Sequence, residues 1–213
     1  MASNPSQNQT AGNLIDAGLH LFAHKGYEAT STRELAAHAQ TNVASIAYHF
    51  GGKAGLRIAC AQQVAVTVGT VFTPPDPSDP AMSATTAQAQ IETLVQGFVQ
   101  LVVGTPGAQD MVAFVVRELA DPGEVAALIY TQLLEPRHIA VCHLMASATG
   151  RAANNEDLKL AVFAIIGQIV YFRIARPFVQ QRMGWDDLAD AEVQKITQTV
   201  IVSLRDTIKR LRI

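Results

Sequence analysis

The stretch Ser31–Leu56, STRELAAHAQTNVASIAYHFGGKAGL, decides how the chain is read. Ser31-x-x-Glu34 is a capping box, in which the serine oxygen accepts from a free helical N–H and the glutamate reaches back to the serine N–H. It predicts a helix of roughly two turns through Leu35-Ala36-Ala37, ending before Gln40-Thr41-Asn42. Asn42 can cap a second short helix, Val43 to Phe50, because its side-chain oxygen satisfies an orphan amide. Gly51-Gly52 breaks that helix, and Lys53 opens a longer one reaching about Val71. Upstream, Leu14, Ile15, Gly18, Leu19, Phe22 and Ala23 recur at helical spacing, and this helix ends near Lys25-Gly26, where glycine suits a left-handed cap. Two short capped helices joined by a tight turn, with a longer helix on each side, form the arrangement in which the second short helix can enter a DNA major groove.

Further out, helical periodicity dominates and no sustained period-two alternation with hairpin turns is present, so the fold class is all-α. Helices are expected at 83–103, 108–119, 123–149 with a bend at Pro136, 156–181 and 188–211, with Gly150 and Gly184 marking ends. Residues 1–10, MASNPSQNQT, read as a disordered arm with neither a basic n-region nor an apolar h-region. Residues 73–80, TPPDPSDP, read as a loop separating a short first part from a longer second part.

Composition narrows the class. Of 213 residues, 49% are hydrophobic and 16% charged, which supplies a packed core rather than a solvated tail. The formal charge of -2 gives the whole chain no basic footprint, which by itself argues mildly against nucleic acid. The charges divide unevenly: residues 1–60 hold four Lys/Arg against three Asp/Glu, and the remainder hold twelve against fifteen. The longest apolar stretch, Leu160–Phe172, is interrupted by Gln168 and is short of a bilayer span. Two distant cysteines, Cys60 and Cys142, give neither a disulfide framework nor a zinc spacing, so a cytoplasmic location is expected.

The string N-L-I-D-A-G-L-H-L-F-A-H-K-G-Y-E-A-T-S-T-R-E-L-A, followed by A-S-I-A-Y-H-F-G-G-K-A-G-L, resembles the N-terminal domain of TetR-family transcriptional regulators. Its most telling part is Tyr48-His49-Phe50-x-x-Lys53-x-x-Leu56. The resemblance implies a helix-turn-helix DNA-binding domain over residues 11–57. It places DNA contacts on Thr32 and Arg33 at the start of the second helix and on Val43, Ala44, Ser45, Tyr48 and His49 of the recognition helix. Lys53 it implies as a phosphate clamp. Helix N-termini and Arg, Lys, Ser, Thr and Tyr side chains are apt phosphate donors in any case. Small Ala44 and Ser45 permit close approach to a base edge. Two departures concern affinity: Ala47 stands where many members carry a bulkier residue, and Gly51-Gly52 replaces a polar residue and serine.

In the second part, Arg117-Glu118-x-x-Asp121-Pro122, Glu135-Pro136, Ile166-Gly167-Gln168-x-x-x-Phe172-x-x-Ala175-Arg176 and Gly184-Trp185 resemble the CecR-like branch of that family. This implies a ligand-binding and dimerisation domain over residues 58–213, with the last two long helices pairing in a homodimer. The apolar faces of Leu160, Phe163, Ala164, Gly167, Ile169 and Val170, and of Val193, Ile196, Val200, Ile201, Leu204 and Ile208, are extensive enough to call for a partner.

Polar residues set in apolar helices include Glu118, Arg137, His138 and Arg173. Most such groups satisfy one another. The effector-contact candidates among them are Arg117, Tyr130, His143, Gln168 and Tyr171. His20 and His24 share one helix face at i, i+4, but Leu-Phe-Ala lies between them and no acidic third ligand is near in sequence, so no metal and no cofactor is expected. No Gly-x-Ser-x-Gly elbow, Walker loop or Gly-x-Gly-x-x-Gly is present, and an enzyme is not expected. The expectation is a ligand-responsive transcriptional regulator, a repressor released from a palindromic DNA operator by a small-molecule effector, without membrane association. The alternative is a helical dimeric binding or interaction protein that has lost DNA affinity.

Overall fold

The computed structural model describes residues 5–71, 82–121 and 123–213, and all regular structure among them is helical. The helices are α1 (Pro5–Lys25), α2 (Thr32–His38), α3 (Val43–Phe50), α4 (Lys53–Val71), α5 (Ala84–Val99), α6 (Ala108–Ala120), α7 (Glu124–Ile129), α8 (Glu135–Thr149), α9 (Glu156–Ile174), α10 (Arg176–Met183) and α11 (Asp190–Leu211). Two π-helical turns, Gln100–Gly104 and Tyr130–Leu134, follow α5 and precede α8. The expected loop at 73–80 lies outside the described residues, as do residues 1–4 of the expected arm.

Three sequence expectations change. Residues 5–10 are the first turns of α1 rather than an arm; Pro5 stands at the first position, where its missing N–H costs nothing, and Gln9 bonds to Asn13 one turn on. The expected helix 156–181 is two helices bent by 77° at Ala175. Pro177 explains the break, since it offers no N–H to the preceding turn and disfavours helical backbone just before it. Before Pro136 the chain widens into a π-helical turn, which accommodates the lost donor.

The chain forms two compact units. One runs to Thr67 and also takes in Asp110–Gln132; the other comprises Val68–Gln109 and Leu133–Ile213. This grouping differs from a division at 57/58: α6, whose Asp110, Arg117 and Glu118 bond to residues of α1 and α4, groups with the first helices, and α7 with it.

In the first unit, Leu14, Ala17 and Phe22 of α1, Leu35 and Ala36 of α2, Ile46 of α3, and Leu56, Cys60, Ala61 and Val64 of α4 are buried. α1 and α4 cross closely at Gly18, where an added Cβ would stand 2.6 Å from the Cys60 sulfur. In the second unit, α5 and α8 pack together, α9 lies against α8, and α11 against α5 and α9. Its core includes Ile91, Val99, Leu144, Met145, Leu158 and Ile169, together with Val193, Ile196, Val200, Ile201, Leu204 and Ile208 of α11. The α11 apolar face is thus consumed inside the chain. The exposed apolar stripe belongs to α9, where Leu160 is 60% and Phe163 59% exposed and Tyr171 and Ile174 follow on the same side. Arg205 of α11 grips Glu92 of α5 through Nε and Nη2 at 2.8 and 2.6 Å. Among the described residues no single helix is long and apolar enough to cross a membrane.

Candidate nucleic-acid interface

The turn between α2 and α3 is built by caps. Ser31 accepts from the Glu34 N–H at 3.2 Å while the Glu34 carboxylate accepts from the Ser31 N–H at 2.9 Å. The Lys25 ammonium also bonds to Glu34. That bond, with those from Ser31, holds the Glu34 pKa down at about 2. Asn42 caps α3 by accepting from the Ser45 N–H at 2.9 Å. Gln40 completes the turn in left-handed backbone, φ 52°. Gly51, φ 72°, closes α3.

With its ends fixed this way, α3 buries Ile46 and turns Val43, Ala44, Ala47 and Tyr48 outward. Tyr48 is 72% exposed and Val43 44%. The Tyr48 ring meets that of His49 edge to face, 4.9 Å between ring centroids. His49 is half-buried. Ala47 completes the outward face, at the turn above Val43 and beside Ala44, and joins the contacts expected from sequence. Helical arithmetic, one turn on from Val43, could have found it.

Two residues have partners the sequence did not announce. The Ser45 hydroxyl donates to Asn42 Oδ1 at 3.1 Å and lies 3.1 Å from Thr41 Oγ1, so it serves the cap rather than standing free. Lys53 donates from Nζ to the carbonyls of Tyr27 at 2.9 Å and Thr30 at 3.0 Å, with the ammonium 4.1 Å from the Tyr27 ring centroid. It therefore fastens the α1–α2 loop to the start of α4 and keeps one N–H for another acceptor. Arg33 is exposed and Thr32 half-buried at the start of α2.

Behind this surface lies a polar cluster. Arg57 stacks over Tyr27, 4.6 Å to the centroid, and clasps the buried Glu118 of α6 with two hydrogen bonds. Glu118 thereby keeps its partner against the helix-turn-helix core, and its hydrogen bonds raise the Arg57 pKa. Arg117, one residue earlier, donates to the Ala23 carbonyl at 3.3 Å. Its guanidinium fills the space beside Gly26, where φ is 88° and an added Cβ would meet Nη2 at 2.6 Å. Arg117 is thus a strut beneath the C-terminus of α1. Of the other proposed effector contacts, Tyr130, His143 and Tyr171 are exposed and Gln168 is half-buried. A groove along α11, lined by Ala191, Gln194, Lys195, Gln198 and Thr199, includes none of the five.

Residues 14–60 match the family model for bacterial regulatory proteins of the tetR family. Residues 87–209 match the model for the C-terminal domain of the HTH-type transcriptional dual regulator CecR. Along nearly its whole length the chain is 33% identical to CecR of Shigella flexneri, over 197 residues covering 90% of this chain and 88% of that relative. The chain belongs to the CecR-like branch of the TetR family. Solved structures share the fold of this TetR-family regulator. A TetR-like transcriptional regulator from Rhodococcus sp. RHA1 is 19% identical, with TM-score 0.65, and covers 97% of this chain and 98% of its own. AibR in complex with isovaleryl coenzyme A and operator DNA is 15% identical, with TM-score 0.63, and covers 90% and 96%. The family is one of transcriptional regulators, and α2 and α3 lie within the residues its model matches.

Proposed function

We propose that this TetR-family regulator is a repressor that binds a palindromic operator as a homodimer and leaves it when a small molecule binds. The observation that carries the reading is the outward face of α3, where Tyr48 stands uncovered beside Val43, Ala44 and Ala47. Small residues let the helix backbone approach the floor of a major groove, and Ala44 or Val43 can meet a thymine methyl. Tyr48 reaches a phosphate beside the groove, as do Thr32, Arg33 and the remaining N–H of Lys53. His49 flanks the same helix end, and Ser45 acts by fixing its start.

A dimer suits the exposed α9 stripe of Leu160, Phe163, Tyr171 and Ile174, which pairs with its symmetry mate together with the outer side of α11. Two recognition helices then lie about 34–36 Å apart, one helical turn of B-DNA. Doubling the contacts compensates for the modest charge of one copy. The effector acts by binding one helix arrangement better than another, and AibR, whose structure holds isovaleryl coenzyme A, provides a precedent for a ligand on this fold. Among the effector candidates Gln168 is favoured, being a half-buried polar group on an apolar helix.

Fluorescence anisotropy on a duplex from upstream of the regulator's own gene, against a scrambled duplex at two salt concentrations, tests this. Selective, salt-sensitive binding that weakens in Tyr48→Ala is the expected result. Absence of any selected sequence, even from a random duplex pool, overturns it in favour of a dimer that no longer reads DNA.

A further inference from the structure

The first unit holds a side-chain cluster that DNA reading does not use. His20 and His24 of α1 both point at Asp110, in the first turn of α6. His20 Nδ1 lies 2.9 Å from Oδ2, and His24 Nε2 lies 2.8 Å from Oδ1. The fold therefore brings to His20 and His24 an acidic third ligand from α6. The three donor atoms lie within 4.8 Å of one another. Among the described residues neither carboxylate oxygen of Asp110 pairs with a lysine or arginine. Lys25, the basic residue next to His24, is bonded to Glu34 instead.

We propose that His20, His24 and Asp110 form a binding site for a divalent cation of the zinc class. Two imidazoles and one carboxylate are the donor set that favours zinc, cobalt, nickel and copper over calcium and magnesium. Histidines at i, i+4 project from one helix face one above the other, which lets both address one ion. In a tetrahedral site with ligands at about 2.0–2.1 Å, donor atoms stand roughly 3.3 Å apart. The carboxylate contacts need to open by a few tenths of an ångström and the two histidines to close, and both rings are exposed enough to rotate.

His38 of α2 stacks on His20, with centroids 4.9 Å apart and planes 20° from parallel, and steadies that ring. Each imidazole binds through the nitrogen that faces Asp110, a metal–nitrogen bond taking the place of its hydrogen bond, with the ring proton carried on the opposite nitrogen. Three protein ligands leave the fourth position to water. The ion would cross-link α1 to α6 over a separation of 86 to 90 residues in the chain.

The test uses the untagged full chain stripped with chelator, titrated with zinc by calorimetry and with cobalt(II) by visible absorption. Saturable binding of a single equivalent with tetrahedral cobalt bands is expected. Affinity should fall at least about tenfold in His24→Gln and in Asp110→Asn, and stay unchanged in His143→Gln. Circular dichroism of each variant confirms that its helices persist. In the unaltered protein, zinc should move the imidazole NMR signals of His20 and His24 and leave those of His143 in place, a result independent of any variant's folding. No saturable zinc binding, or zinc shifts that spare His20 and His24, overturns the site.

Discussion

Arg57 and Glu118 stand 61 residues apart, yet the guanidinium spans both carboxylate oxygens, Nε to Oε1 at 2.8 Å and Nη2 to Oε2 at 2.7 Å. Glu118 is 3% exposed and Arg57 half-buried, so the pair joins the second turn of α4 to α6 with its carboxylate out of contact with water. Removing one partner of such a pair strands the other charge, whereas replacing both by apolar side chains does not. Arg57→Ala is expected to lower unfolding free energy by about 3 kcal/mol, and the double change Arg57→Met with Glu118→Leu to restore most of it. Urea unfolding of the four species in a double-mutant cycle measures this; equal losses in the single and double variants would refute it.

Lys53 and Tyr48 have two different roles, one holding the fold as well as the DNA and the other the DNA alone. Lys53 secures the loop carbonyls of Tyr27 and Thr30. Lys53→Ala should therefore lower thermal stability as well as DNA affinity, and reduce the salt slope of binding by about one. Tyr48→Ala should leave stability and salt slope in place while weakening DNA binding roughly tenfold, about 1.4 kcal/mol. Melting curves and anisotropy at several salt concentrations distinguish the two; a Lys53→Ala protein as stable as the parent would refute the fastening role.

Glu34 gives a pH signature. Its folded pKa of about 2 lies below the ordinary 4.5, so the carboxylate stabilises the fold above about pH 4.5, and that contribution is lost as pH falls through about 2. Glu34→Gln lacks the titrating group. The stability difference between parent and variant should be largest near neutral pH and shrink across that acid window. A difference independent of pH would exclude the effect.

Gln40 occupies left-handed backbone at the α2–α3 turn, a region costly for residues with a Cβ. Gln40→Gly should raise stability by roughly 0.5–1 kcal/mol, the relief of the strained φ exceeding the added flexibility of the unfolded chain. Chemical denaturation reads the change directly, and a loss of stability would show that the Gln40 backbone carries no such cost.

Local chemistry was legible. Ser31, Glu34, Asn42 and Gly51 announce the ends of α2 and α3 because caps act within four residues, and the all-helical class follows from the helical periodicity of segments such as α3, α6 and α11 and from the lack of period-two alternation. What depended on distant contacts was not. Nothing near His20 foretells Asp110, and nothing near Arg117 foretells Ala23 as its acceptor, because these meetings are set by how α6 returns to α1. Ser45 and Lys53 were read for the donors they carry, and their neighbours had already engaged those donors. On α9 and α11 the sequence shows two apolar faces, but only the packed chain reveals that α11 spends its own internally while α9 leaves Leu160 and Phe163 largely exposed.

The crossing of α1 and α4 at Gly18 and Cys60 leaves almost no space between a backbone and a sulfur atom. A methyl group at position 18 has room only if position 60 gives up its sulfur, and a bulkier residue at position 60 has nowhere to go while α1 stays where it is. Position 18 can therefore gain a side chain only after position 60 has become smaller. Variants of this regulator should keep glycine at 18 wherever position 60 holds cysteine or a larger residue, and show alanine at 18 only beside a smaller residue at 60.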